Sequence, residues 1–260
     1  MLWAALLAAL AALALHAGLA RRRAAALERR LETASRSLES LQQAFARFAP
    51  AEVVEDIIAR GVSSRSEKRE ITVLFADLKS FTPLAERLDP AELVQLLNGY
   101  FERMSRAIDA HRGHVAKFIG DGILALFGAL ESNPWQTNDA VHAALGMRTA
   151  LAEYNATLAA GGLPSLAMGI GIHRGPVVAG VIGSAELMEY GVIGSTVNVA
   201  SRVERLTRTH GADVLVTDAV RQALDTRFRL RPMPPAEVRG LPGALATFAV
   251  EGFEEDPVPH

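Results

Sequence analysis

The chain contains no cysteine among its 260 residues. That excludes a disulfide scaffold, a zinc–thiolate site and a cysteine nucleophile, and it fits a reducing compartment. An excess of basic residues is also missing. Lys plus Arg number 27 against 29 Asp plus Glu, for a net charge of -2. No dedicated nucleic-acid binder is expected from such a balance. The first twenty residues carry no Asp, Glu, Lys or Arg, so no basic leader precedes their apolar run. Global disorder is excluded as well, because half the residues are apolar and only 22% are charged. The length suggests one domain with a substantial extra piece, or two small domains.

The uncharged run, MLWAALLAALAALALHAGLA, is long enough as a helix to span a bilayer's hydrocarbon core of about 30 Å. Its leucines favour insertion by roughly 2–4 kcal/mol, while His16 opposes it. Arg21, Arg22 and Arg23 follow at once, so the positive-inside rule places the later residues in the cytoplasm. The run is read as a retained single-pass anchor (1–20) of a bacterial inner membrane. A cleaved signal peptide and a buried or surface helix are the alternatives. Residues 21–50 carry seven Arg and three Glu, a basic neck. In it Leu27, Leu31, Ala34, Leu38, Leu41, Phe45 and Phe48 recur at steps of four and three, a heptad seam. The seam suits a parallel dimeric coiled coil, or else one amphipathic helix packed on the body. Pro50 ends it. AEVVEDIIARG reads as another short helix, and SSRSEKRE as a polar linker leading from the 21–65 segment into the body.

The body, 66–253, precedes a short tail at 254–260. ITVLFAD is a buried strand. Asp89, Pro90 and Glu92 are helix-start signals, and a helix runs from there towards His111. HVAKFI and GILALFG form a hairpin around Gly120 and Asp121. Asn138 to Ala160 is a long helix closed by Gly161 and Gly162. SLAMGIGIH and PVVAGVIG read as a strand pair, and NVASRVERLTRTHG as a helix ending at Gly211. DVLVT is a strand, DAVRQAL a helix, and RFRLRPM and ATFAVEGF are the last strands. This mixed order predicts an α+β fold rather than a doubly wound parallel sheet.

Several residues admit two readings. Asp77 ends the first strand and Asp121 tips the hairpin 44 residues later. They either cap a turn and fill a hairpin, or share a pair of Mg²⁺ ions, which need oxygen donors. The backbone amides from Lys79 to Thr82, Phe81 included, open a helix and suit phosphate oxygens. Lys117, between Ala116 and Phe118, either faces solvent or has a task. Asn198 and Arg202 share one helix face, as an idle surface pair or as a grip on ribose and phosphate. The glycines of GIGIHRG fall within a strand pattern, which argues against a dinucleotide fingerprint. His111, His114, His142 and His173 have no metal-ligand spacing. Trp135, beside Pro134, reads as a loop packing anchor.

Four strings, in order, carry a resemblance: ITVLFADLKSFT, KFIGDGILALFG, GIGIHRGPVVAGVIG and YGVIGSTVNVASRVERL. Together they resemble the catalytic domain of class III nucleotidyl cyclases, especially bacterial adenylate cyclases, over about residues 66–252. FARFAPAEVVEDIIARG is similar to the helical transducer segment that often precedes it. The resemblance implies a ferredoxin-like α+β core acting as a head-to-tail homodimer, with ATP sites at the interface and two Mg²⁺ (or Mn²⁺) in each. By motif position, Asp77 and Asp121 resemble the metal-binding aspartates, and Leu78 the residue lending a carbonyl to the second ion. Lys117 resembles the base-reading lysine, Asn198 the ribose-orienting residue and Arg202 the arginine steadying the α-phosphate. Arg239 in VRGLPG matches a position where a basic residue meets the terminal phosphates. The chain departs from the pattern at Gly191, where a second base-reading Asp, Thr or Ser is usual. A guanylate or relaxed purine nucleotide cyclase is therefore the nearest alternative. A silent nucleotide-binding dimerisation module is another. No GGDEF-like string points to a diguanylate cyclase.

Overall fold

The computed structural model describes residues 3, 16, 30–37, 66–183, 188–237 and 243–254. The chain divides into two compact units, Met1–Val62 and Ser63–His260. In the first unit, residues 30–37 are helical, and Arg36 and Glu32 pair across one turn at 3.9 Å. The anchor expected over 1–20, most of the heptad seam and the transducer helix lie outside the described residues, as do Arg239 and most of the tail. Among the described residues no helix is long and apolar enough to cross a membrane.

The second unit runs β1 (Glu67–Leu78), α1 (Phe81–Ala85), α2 (Pro90–Asp109), β2 (His114–Ile119), β3 (Gly122–Phe127) and α3 (Gln136–Ala160). It continues β4 (Met168–Gly183), β5 (Met188–Ile193), α4 (Ser195–His210), β6 (Val214–Thr217), α5 (Asp218–Arg221) and β7 (Phe228–Pro232). β8 (Ala236–Glu237), β9 (Ala244–Leu245) and β10 (Thr247–Phe253) complete it. One mixed sheet has the order β2-β3-β1-β4-β6-β10-β7, with β5 also on β4; β8 and β9 form a separate ribbon. Among the described residues only β4–β6 is a parallel pair in the main sheet. This is the mixed α+β arrangement that the sequence predicts.

β1 is buried on both faces, which is why it reads as a continuous apolar run rather than an alternating one. Leu74, Ala76 and Leu78 pack with Tyr100, Met104 and Ile108 of α2 and Met147 of α3. Ile71 and Val73 join the opposite core, which Ala200 of α4 helps to close. Each buried Leu or Ile stabilises the fold by about 1.5–3 kcal/mol. The start of α2 is as predicted: extended Asp89 accepts a hydrogen bond from Ala91 N–H at 2.9 Å, with Pro90 at the first position. Gly120, at φ 63°, makes the β2–β3 turn.

Several expectations are corrected. The polar SSRSEKRE segment is not wholly a linker, because Glu67–Arg69 already pair with β4. Arg69 is held there by Glu67 and by the carbonyl of Leu130. SLAMGIGIH and PVVAGVIG are not two strands but one, β4, paired with β1 from Met168 to Ala179. Pro176 does not break it. On the flank opposite β1, β6 pairs up to Ile172 and β5 from Val178, so Pro176 lies between the two ladders. The partner of β4's second half is β5, from the YGVIG string. α5 stops at Arg221 rather than running through QAL. Trp135 is 60% exposed rather than buried in the loop. Its neighbour Gln136 turns inward instead, bonding Thr72 N–H and the Glu70 carbonyl.

Candidate active site

The site lies where β1 ends beside the β2–β3 turn. Asp77 is half-buried at the penultimate residue of β1, opposite Gly169 of β4. Asp121, at the hairpin tip, accepts a hydrogen bond from Leu78 N–H at 3.2 Å through Oδ2. β1 and β3 pair from Thr72 to Ala76, so the two carboxylates are carried to one place by neighbouring strands. Burial first, and then the adjacent Asp121, push the Asp77 carboxyl up to about 6, against the opposing pull of Arg208. Tyr100 lies completely buried beneath, its hydroxyl on Met168 Sδ and its pKa raised by burial and the two aspartates.

The donor set here is two carboxylates and a backbone carbonyl. All are oxygens, and the mutual repulsion of the pair calls for a cation. Such a set fits a hard dication like Mg²⁺ or Mn²⁺, which takes its remaining ligands from water and phosphate. Among the described residues no third acidic or histidine side chain completes a protein-only cage.

The turn after β1 is partly committed. Lys79 N–H donates to the Ala167 carbonyl at 2.7 Å, and Lys79 Nζ pairs with Asp213 at 3.0 Å and reaches the Ala212 carbonyl. Of the amides from Lys79 to Thr82, that of Lys79 is therefore not available to a phosphate. Ser80 adopts the left-handed conformation (φ 56°) and leads into α1, with Phe81 partly buried and Thr82 exposed.

The other sequence-selected residues stand on separate elements. Lys117 is exposed on β2, in register with Leu124. Asn198 is exposed and Arg202 half-buried on α4. Gly191 lies on β5 opposite Gly180, and among the described residues a Cβ built there meets only Ile182 Cδ1, at 3.5 Å. Arg174, on β4, pairs with Glu70 at 2.9 Å.

Two residues of the site escape sequence reasoning. Arg208, near the end of α4, sends Nη2 to Asp77 Oδ2 at 3.3 Å and to the Leu78 carbonyl at 3.2 Å. Its Nη1 binds Glu204 Oε1 at 2.6 Å. The Glu204 carboxyl is buried and pushed up to about 7 by that burial, against the pull of Arg208. The i,i+4 spacing of Glu204 and Arg208 is visible in RVERLTR, but their link to Asp77 is not. Glycine brings α4 this close: side chains at Gly169 and Gly171 would run into Thr207 and into the backbone of Ala200 and Glu204.

The comparisons with known proteins agree with this geometry. The model of the adenylate and guanylate cyclase catalytic domain matches residues 63–252. The chain belongs to this family. It is 35% identical to an adenylate cyclase of Anabaena cylindrica over 232 residues, which is 85% of this chain and 45% of that relative. It thus spans less than half the length of that relative. The crystal structure of the guanylyl cyclase Cya2 superposes with a TM-score of 0.69 at 36% identity, covering 73% of this chain and 95% of that one. The adenylyl cyclase CyaB from P. aeruginosa gives a TM-score of 0.70 at 26% identity, covering 74% and 99%. The cyclase family's mixed α+β catalytic fold is therefore the fold of the second unit.

Proposed function

We propose that the chain is an adenylate cyclase, converting ATP to 3′,5′-cyclic AMP and pyrophosphate in sites shared between two copies. The observation that carries this reading is the convergence of Asp77, Asp121 and the Leu78 carbonyl in a chain of the cyclase family. Two Mg²⁺ (or Mn²⁺) ions, when bound there, supply Lewis-acid activation of the ribose 3′-hydroxyl and neutralise the triphosphate. Asp77 and Asp121 would hold both ions, and the Leu78 carbonyl the second. The reaction is an in-line displacement at the α-phosphorus, so the protein contributes positioning and electrostatics.

The remaining roles fall to groups around this pair. Lys117 donates to adenine N1, which favours ATP because guanine N1 carries a proton. Asn198 orients the ribose, and Arg202 stabilises charge gathering on the α-phosphate; both come from the partner copy. The amides around Phe81 and Thr82 support the phosphates, and Arg239 meets the terminal ones. The exposure of Lys117 and Asn198 supports their service to a second chain. Phe118, Ile119, Val178 and Ile193 are 48%, 50%, 42% and 60% exposed, apolar surface that a homodimer would cover.

The same reading assigns 1–20 as a single-pass inner-membrane helix, 21–65 as a coiled-coil neck and transducer, 66–253 as a cytoplasmic catalytic domain and 254–260 as a tail. The uncharged run and the following arginines support the anchor. Leu31, 70% exposed on its helix, supports a seam awaiting a second chain.

A guanylate or relaxed purine nucleotide cyclase is the second reading. It is favoured by the missing side chain at Gly191 and by the 36% identity to Cya2, a guanylyl cyclase. The test is a competition of ATP against GTP on the purified full chain, with Mg²⁺ or Mn²⁺. Predominant cyclic AMP supports the proposal, and predominant cyclic GTP-derived product supports the second reading. ATP binding without any cyclic product sinks both.

A further inference from the structure

The oxygens assigned above to the second ion, Asp77 Oδ2 and the Leu78 carbonyl, already share one protein cation. A single guanidinium nitrogen, Arg208 Nη2, lies 3.3 Å from one and 3.2 Å from the other. A Mg²⁺ ion holds its donors at about 2.0–2.1 Å. An ion on both oxygens would therefore stand within about 5 Å of that nitrogen, close enough for strong like-charge repulsion.

The two ends of the Arg208 fork are not held equally. Nη1 sits 2.6 Å from Glu204, one turn earlier on α4, whose carboxylate is 1% exposed. The contacts of Nη2 are longer than the 2.7–2.9 Å usual for charge-assisted bonds. The guanidinium can thus leave Asp77 and Leu78 while keeping Glu204, and 38% exposure of its side chain leaves room for that swing.

We infer that Arg208 and a dication are alternative occupants of the Asp77–Leu78 donors, with Glu204 as the anchor on which Arg208 turns aside. Arg208 is then a positioning residue. It satisfies the donors before metal arrives, and it raises the metal concentration at which the site becomes armed. This rests on the metal-site reading proposed above.

The test is Mn²⁺ binding to the purified full chain without nucleotide, followed by electron paramagnetic resonance of the free ion. Arg208→Gln should tighten binding at the Asp77 site by about tenfold or more, since a competing charge is gone. Arg208→Lys, which keeps the charge, should stay closer to the wild type. Arg229→Gln removes one charge from an exposed side chain elsewhere and should change nothing. The rise in melting temperature on adding Mn²⁺ should also be larger in Arg208→Gln than in the wild type. Equal or weaker Mn²⁺ binding by Arg208→Gln overturns the inference, as does a lysine variant that behaves like glutamine. Wild-type Mn²⁺ binding left unaltered by Asp77→Asn overturns the metal-site reading itself, whatever Arg208→Gln does.

Discussion

Asp121 Oδ2 accepts the backbone N–H of Leu78 at 3.2 Å, so the hairpin carboxylate also ties down the end of the strand that carries the other donors. Charge and geometry are separable here. Asp121→Asn keeps an oxygen for the Leu78 amide but removes the charge facing Asp77. Metal-dependent turnover should vanish, while the melting temperature in EDTA should hold or rise. Asp121→Ala also loses the hydrogen bond and should be less stable than Asp121→Asn by about 1 kcal/mol in urea titrations.

Arg202→Ala should lower kcat by about a hundredfold with little change in KM, the signature of a donor that acts in the transition state. Asp77→Ala should abolish turnover. Mixing the two impaired chains should restore activity well above that of Arg202→Ala alone, because one of the two interfacial sites in the mixed dimer is then intact. Absence of recovery on mixing would rule out shared sites.

Space at Gly191 allows a side chain to be added. Among the described residues the Cβ meets only Ile182 Cδ1, at an ordinary contact distance of 3.5 Å. Gly191→Thr should fold normally and supply one hydrogen-bonding group towards the purine. The ratio of ATP to GTP efficiencies should shift by about tenfold in favour of ATP. Parallel kcat/KM measurements check it.

His173 provides a pH signature away from the carboxylates. It bonds Thr217 Oγ1 at 2.9 Å, and burial lowers its pKa to about 4. The folded state thus binds fewer protons than the unfolded chain between about 4 and the ordinary value of 6.5. Stability from this group is complete above 6.5 and is lost as pH falls through about 4. His173→Gln should flatten the acid limb of the melting-temperature profile between those values. An unchanged slope would show that His173 does not titrate there.

Gly171→Ala should be costly. Its methyl group would meet the backbone of Glu204 and Ala200 rather than a movable side chain. A loss of about 1–3 kcal/mol, a melting temperature lower by about 3–10 °C, is expected from differential scanning calorimetry.

Local chemistry made much of the fold readable. Asp89 with Pro90, the Gly120–Asp121 turn and the left-handed Gly211 after α4 each carry their own instruction, and each stands where it was expected. β4 was misread because Pro176 signals a break, whereas the sheet supplies a gap between two ladders at that residue. Asp77 and Asp121 could be picked from their strand-end positions and motif strings. Arg208 could not. It meets Asp77 across 131 residues, through a helix seated on glycines, and no spacing in the sequence encodes that meeting.

β1 begins at Glu67 and reaches the site at Leu78, bonded to β4 along the entire way. Such a strand cannot slide by itself. A pull applied at its first residue is shared at once with β4, and through the glycine seat with α4. Mechanical input arriving there therefore shifts Asp77, Leu78 and the arginine-bearing helix as one body, and tension alone will not pry the donors apart.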